Sequence, residues 1–191
     1  MIRVEPVVLE GHGVRLEPLS LDHVEGLRAA AADGELWNLV VTSVPEPDDT
    51  RGYVERAFAT QDRVAFAVRD AVSGAVLGST SYHDILPAVD RLEVGYTWYA
   101  KSRQKTRVNP ACKLLLMRHA FETLGAQVVG WRTDGRNLAS QRAIERLGAR
   151  KDGVVRHQAL RRDGSVRDTV LYSMILAEWP AARAALEARL G

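Results

Sequence analysis

Two strand-like runs joined through a single helix constrain this chain most. Leu92 to Tyr99 alternates, with Leu92, Val94, Tyr96 and Trp98 facing one way and Glu93, Gly95, Thr97 and Tyr99 the other. Leu114, Met117, Phe121 and Leu124 then recur at helical spacing, and Gly125 stops that helix. Gln127 to Thr133 follows as a strand. A strand–helix–strand unit of this kind predicts two parallel strands and a right-handed crossover.

The segment that enters the helix is RQKTRVNPACK, Arg103 to Lys113. Asn109 is a favoured N-cap, which places Pro110 at the first helical position of a helix running to Leu124. Lys101, Arg103, Lys105 and Arg107 come just before it. Free N–H groups, a partial positive charge and four cations make a landing place for phosphates. A solvated basic loop in front of a helix explains the same residues equally well.

The remaining elements surround this unit. Val14 to Pro18 is a first strand. Ser20 can cap a helix from Leu21 to Ala32, and Asp48 or Asp49 a second helix to Thr60 that buries Tyr53, Val54, Ala57 and Phe58. Val64–Arg69 and Ala75–Tyr82 are expected to form a hairpin around Ser73-Gly74, with Ile85 to Asp90 a loop. Asn137 can cap a helix ending at Leu147-Gly148. Val154–Arg161 and Val166–Leu176 flank Asp163-Gly164, a strong hairpin signal. Glu178 to Leu190 closes the chain as a helix that packs on the sheet or forms a dimer contact. The expected fold is a mixed α+β sheet of about seven strands, mostly antiparallel, in one domain over residues 1–191.

Composition narrows the function. A net charge of +2 argues against a general polyanion binder, so a nucleic-acid role rests on one loop alone. Cys112 is the single cysteine, which excludes an internal disulfide. No apolar run reaches membrane-spanning length, and the N-terminal segment lacks a signal-peptide core. The expectation is a cytoplasmic protein, monomer or homodimer, with neither nucleic acid nor membrane as partner.

LEVGYTWY, the loop RQKTRVN, PACKLLLMRHAFETLG and DGRNLASQRAIERLGARKDG together resemble the Gcn5-related N-acetyltransferases, in the RimJ- and RimL-like branch that acetylates ribosomal-protein N-termini. The resemblance covers nearly the whole chain, and Asn137-x-x-Ser140 ahead of Leu147-Gly148-Ala149 is its most specific part. It implies acetyl-coenzyme A as cofactor, its pyrophosphate held by the loop and helix start and its pantetheine arm lying between parallel strands parted like a V. On this chain those positions are Arg103, Gln104, Lys105, Thr106, Arg107, Val108 and Asn109, with Trp98, Tyr99, Asn137 and Ser140 alongside. The family loop commonly reads Arg-Gly-x-Gly-x-Ala, and here Gln104, Thr106 and Val108 replace its small residues. Threonine resists the positive φ that glycine permits, so the loop needs ordinary backbone angles or a less complete phosphate contact. Lys105, Arg107 and the Thr106 hydroxyl are the compensating groups.

Amine acetylation needs a base, an oxyanion donor and help for the departing thiolate. Glu93 is the candidate base, against the plainer reading of a salt-bridged strand carboxylate. Ser140 is the candidate acid, since the resemblance sets it beside the sulfur; Tyr99 is an alternative. A backbone N–H near Trp98 or Tyr99 would meet the oxyanion. Asn137 has helix capping as its simpler role. His12, His23, His83, His119 and His157 show no metal spacing, and His83-Asp84 reads as a surface pair. The expected acceptor is a primary amine, either a protein N-terminus or a small molecule. A coenzyme-binding sensor of the same fold is the rival reading, prompted by the missing glycines.

Overall fold

A computed structural model describes residues 1–191. Its strands are β1 (Leu9–Gly11), β2 (Val14–Pro18), β3 (Val64–Asp70), β4 (Val76–Leu86), β5 (Arg91–Tyr99), β6 (Val128–Asp134), β7 (Arg150–Leu160) and β8 (Val166–Ile175). The helices are α1 (Val24–Ala32), α2 (Thr50–Ala59), α3 (Val108–Arg118), α4 (Leu138–Glu145) and α5 (Trp179–Leu190). The eight strands form one sheet in the order β1-β2-β3-β4-β5-β6-β8-β7. The strand beyond the expected seven is β1, three residues long and too short to carry a visible alternation. What the expectation treated as a loop from Ile85 is the end of β4 followed by a single 3-10 turn at Pro87–Val89.

Only β5 and β6 run parallel, as the crossover rule requires. Their pairing lasts from Arg91↔Val128 to Glu93↔Gly130 and then stops. Beyond that point β5 stays bonded to β4 as far as Tyr99, and β6 to β8 as far as Asp134. The two strands therefore part, and the sheet opens in a V above Glu93 and Gly130.

A β-bulge corrects the simple alternation expected for β5. Ser81 pairs with Gly95 and Ser79 with Trp98, so Thr80 alone faces Tyr96 and Thr97. Tyr96 takes up the extra residue with φ of 50°. The side chains change faces there. Leu92, Val94 and Tyr99 share the core beneath α3, whereas Trp98 joins the core beneath α1 and α2. A sheet with helices on both faces needs two such cores, and β3 feeds both: Phe66 and Val68 one, Ala67 the other. Phe58, expected inside, is 53% exposed, because α2 turns only Tyr53, Val54 and Ala57 inward.

Helix α3 begins at Val108, so Asn109 is not its N-cap and Pro110 is its third residue. Proline is still tolerated there, since the first N–H groups of a helix have no intrahelical partner. The end is covered instead by Thr106, whose Oγ1 accepts from the Val108 N–H at 3.3 Å. A π-turn over His119–Thr123 continues the helix, and Gly125 ends it with φ of 76°. Helix α5 packs within the chain: Trp179, Leu186 and Leu190 are buried, and Trp179 stacks on Phe121 with ring centres 5.5 Å apart.

Candidate active site

The V opens into a cavity of about 920 Å³ that runs from the basic loop across the sheet to the late hairpin. At its mouth stand Gln104, Lys105, Thr106 and Asn109; Trp98 and Tyr99 of β5 and Asn137 and Ser140 of α4 line its flanks. Four of the expected residues, Glu93, Arg103, Arg107 and Val108, lie outside its wall. Val108 is buried in the core, and Arg107 donates to the Leu190 carbonyl at 3.2 Å, tying the loop to the end of α5.

The loop solves its missing glycines with one unusual residue. Lys105 has φ of 59°, while Gln104 remains extended with φ of −74°. The Gln104 side-chain amide donates to the Tyr99 carbonyl at 3.1 Å and ties the loop back to the strand end. The Thr106 hydroxyl is engaged within the loop, donating to the Arg103 carbonyl at 2.7 Å. It is thus a brace of the helix start and is not free for a phosphate oxygen. Arg142, Arg146 and Arg189 add positive charge along the wall; α4 and the far end of α5 bring them, and no local motif marks them.

Asn137 caps α4 as its sequence position implied, accepting from the Ser140 N–H at 3.0 Å. The cap fixes the first turn of α4, and Ser140 stands in the cavity wall from that turn.

On the other face of the V lies a charged cluster. Glu93 is 4% exposed, and its two oxygens accept from Arg132 Nε at 2.8 Å and Nη2 at 3.0 Å. Burial pushes its pKa up, but the Arg132 hydrogen bonds, with the charges of Arg132, His83 and Arg91, hold it below the ordinary carboxylate range. Arg132 also pairs with Asp84.

His83 corrects the expectation of a surface pair: it is 7% exposed and lines the cavity. Its Nδ1 lies 3.2 Å from Asp84 Oδ2, and a carboxylate can only accept, so Nδ1 carries the proton and Nε2 keeps a lone pair. Burial draws the His83 pKa below its usual 6.5, against the opposing pull of Glu93 and Asp84. The ring stands edge-on to Tyr96, 5.1 Å away, in space that Gly95 leaves open. A Cβ at Gly95 would come within 2.1 Å of His83 Nε2. Ligand atoms of His83, Asp84 and Glu93 lie within 4.8 Å of one another, and Arg132 bonds two of these three residues, taking the place a metal cation would need.

Trp131 Nε1 of β6 is buried without a hydrogen-bond partner, whereas the buried Tyr99 hydroxyl lies against the Cys112 thiol. Buried polar groups are nearly always paired. The basic mouth, with Lys105 and the start of α3, fits a ligand that carries phosphates.

A sheet split between its one parallel pair, with a cationic helix start at the opening and a titratable cluster at the far side, gives a cleft suited to a long, anionic ligand. Residues 14–150 match the family described as acetyltransferase (GNAT) domain, and the chain belongs to that family. No curated protein matches it. Among solved structures, it is similar to a GCN5-related N-acetyltransferase from Brucella melitensis: 30% identity, 98% of this chain and 87% of that one covered, TM-score 0.88. A structure from T. thermophilus that carries an acetyltransferase assignment is similar at 37% identity, with both chains covered in full and a TM-score of 0.88. Mycobacterium smegmatis RimJ in complex with CoA-disulfide shares the fold, at 18% identity over 96% of this chain and 95% of that one, TM-score 0.79. No helix is long and apolar enough to cross a membrane.

Proposed function

We propose that this protein is an N-acetyltransferase that uses acetyl-coenzyme A to acetylate a primary amine of low basicity, an α-amine of a protein N-terminus or of a small molecule. Lys105, Gln104, Asn109 and the free N–H groups of α3 receive the phosphates. Trp98, Tyr99 and Trp131 flank the pantetheine arm, and Asn137 holds α4 so that Ser140 faces the sulfur. The bulge at Tyr96 interrupts the pairing with β4 just before Trp98, which suits an oxyanion donor there.

The observation that carries this reading is the placement of His83 in the cavity wall with Glu93 behind it. His83 presents the accepting nitrogen, Asp84 orients it, and the buried Glu93 carboxylate supplies negative charge that favours the imidazolium formed when the proton arrives. A base drawn below 6.5 is weak. It serves an amine with pKa about 8, part of which is neutral at pH 7, far better than a lysine near 10.4. The test is thiol release from acetyl-coenzyme A with paired acceptors, α-amino peptides or amino acids against Nα-blocked lysine. Faster release with the α-amines supports the reading. Binding of coenzyme A with no release for any amine would leave a sensor module.

A further inference from the structure

Lys113 is a buried cation outside the His83–Glu93 cluster. It sits on α3 one turn beyond Asn109, is 6% exposed, and lines the cavity. Its ammonium donates to Thr97 Oγ1 at 3.2 Å, and Thr97 in turn shares a hydrogen bond with Thr80 Oγ1 at 2.8 Å. No carboxylate neutralises it. The one titratable group that acts on it is Cys112 on the same helix, which in turn meets Tyr99 of β5. Burial pushes the Cys112 thiol up to about 12 and the Tyr99 phenol well above its ordinary 10, so both are neutral near pH 7. An ammonium held this way is costly, since a buried charge is normally paired. The same burial draws its own pKa from 10.5 down to about 8.

Its position gives that cost a purpose. Thr97 is the second residue of the bulge, on the stretch of β5 that has lost β6 as a neighbour. On the proposed reading the thioester lies between those parted strands, where negative charge appears first on the carbonyl oxygen and then on sulfur. We propose that Lys113 is a catalytic cation which stabilises the thiolate of coenzyme A as the thioester breaks. This rests on the N-acetyltransferase reading above.

The amine nitrogen bonds to the acetyl carbon, and its proton passes to His83. The carbon–sulfur bond breaks, leaving its electron pair on sulfur. Lys113 either holds that thiolate by a charge-assisted hydrogen bond or gives it a proton, and in the second case regains one from water. Ser140 offers a neutral hydroxyl from α4; Lys113 offers the charge from α3.

The consequence is readable without any acceptor. Thiolate absorbance of coenzyme A bound to the wild type should titrate at least tenfold more acidic than when bound to Lys113→Met. A second measurement needs no variant. Lys101, Lys105, Lys113 and Lys151 are the only lysines, so ε-labelled lysine spectra resolve Lys113. Its titration should move upward with coenzyme A and stay in place with desulfo-coenzyme A, which keeps the phosphates and lacks the sulfur. Equal movement with both ligands, or a thiol acidity unchanged in the variant, overturns the proposal and makes Lys113 a contact to the rest of the coenzyme. Wild-type protein that binds no coenzyme A at all overturns the underlying N-acetyltransferase reading as well.

Discussion

Arg132 grips both oxygens of Glu93, at 2.8 and 3.0 Å, from the strand on the other side of the V. Glu93 is the last residue of β5 paired with β6 and Arg132 lies two residues beyond its partner Gly130, so the grip closes the apex of the opening. Glu93 lies outside the cavity wall, whereas His83, Asp84 and Arg132 line it, and of these His83 is the one with a free basic nitrogen.

Substitution of His83 and of Glu93 should therefore give different pH profiles. His83→Gln removes the proposed base, and turnover should fall by about 100-fold or more near pH 7. Part of the loss should return toward pH 9, where an α-amine is deprotonated without help. Glu93→Gln removes an anion that raises the His83 pKa, so the acid limb should move to lower pH with a reduced plateau. A larger loss in Glu93→Gln than in His83→Gln at pH 7 would restore Glu93 as the direct base.

Gly95 offers a steric test of the same assignment. Its missing Cβ leaves the room in which the imidazole sits, and a methyl there would lie 2.1 Å from Nε2. Gly95→Ala should displace the ring from the cavity and lower turnover with little change in coenzyme affinity. Calorimetry with coenzyme A and steady-state rates on one preparation separate the two effects. A variant of full activity would show that the position of the His83 ring is immaterial.

Much of the architecture is legible because it is local. The Asn137 cap, the Asp163-Gly164 turn and the strand–helix–strand crossover each follow from neighbouring residues, and each is present. The active cluster is not local. Nothing in the LEVGYTWY segment marks Tyr96 as a bulge, because the register depends on β4 opposite. His83 beside Asp84 looks like a surface pair until Arg132, Gly95 and Tyr96 arrive from two other strands. Lys113, on a helix whose neighbours are leucines, carries a charge that sequence patterning assigns to solvent; it is inside only because α3 lies across the opening of the V. Helix α3 starts ahead of its Asn-Pro signal because the Thr106 brace, weak by itself, covers the earlier turn.

The loop cations separate by what they already touch. Lys105 lines the mouth, whereas Arg107 is bound to the Leu190 carbonyl. Lys105→Ala should weaken coenzyme A binding several-fold and reduce its salt dependence. Arg107→Ala should chiefly loosen the junction with α5, seen as a small fall in thermal midpoint. Thr106→Gly removes the helix brace and should cost about 1 kcal/mol of stability, the usual value of a lost cap. An affinity gain from Thr106→Gly large enough to outweigh that loss would mean that the loop needs the glycine conformation after all.

Lys113 gives the sharpest stability prediction. Its pKa in the folded protein is about 8, against 10.5 when exposed. Between these values the unfolded chain holds a proton that the folded chain has released, so stability rises with pH from about 8 to 10.5. Below pH 8 both states are protonated and the cost of burying the charge is fully felt, on the order of 3 kcal/mol. Lys113→Met removes that cost and keeps most of the side-chain volume. The variant should be more stable than wild type at pH 7, and its advantage should shrink as pH climbs toward 10.5. Denaturant unfolding at pH 7 and pH 10 measures both points. A variant less stable than wild type at pH 7 would mean that the ammonium is satisfied within the folded chain, and Lys113 would then be an ordinary structural residue.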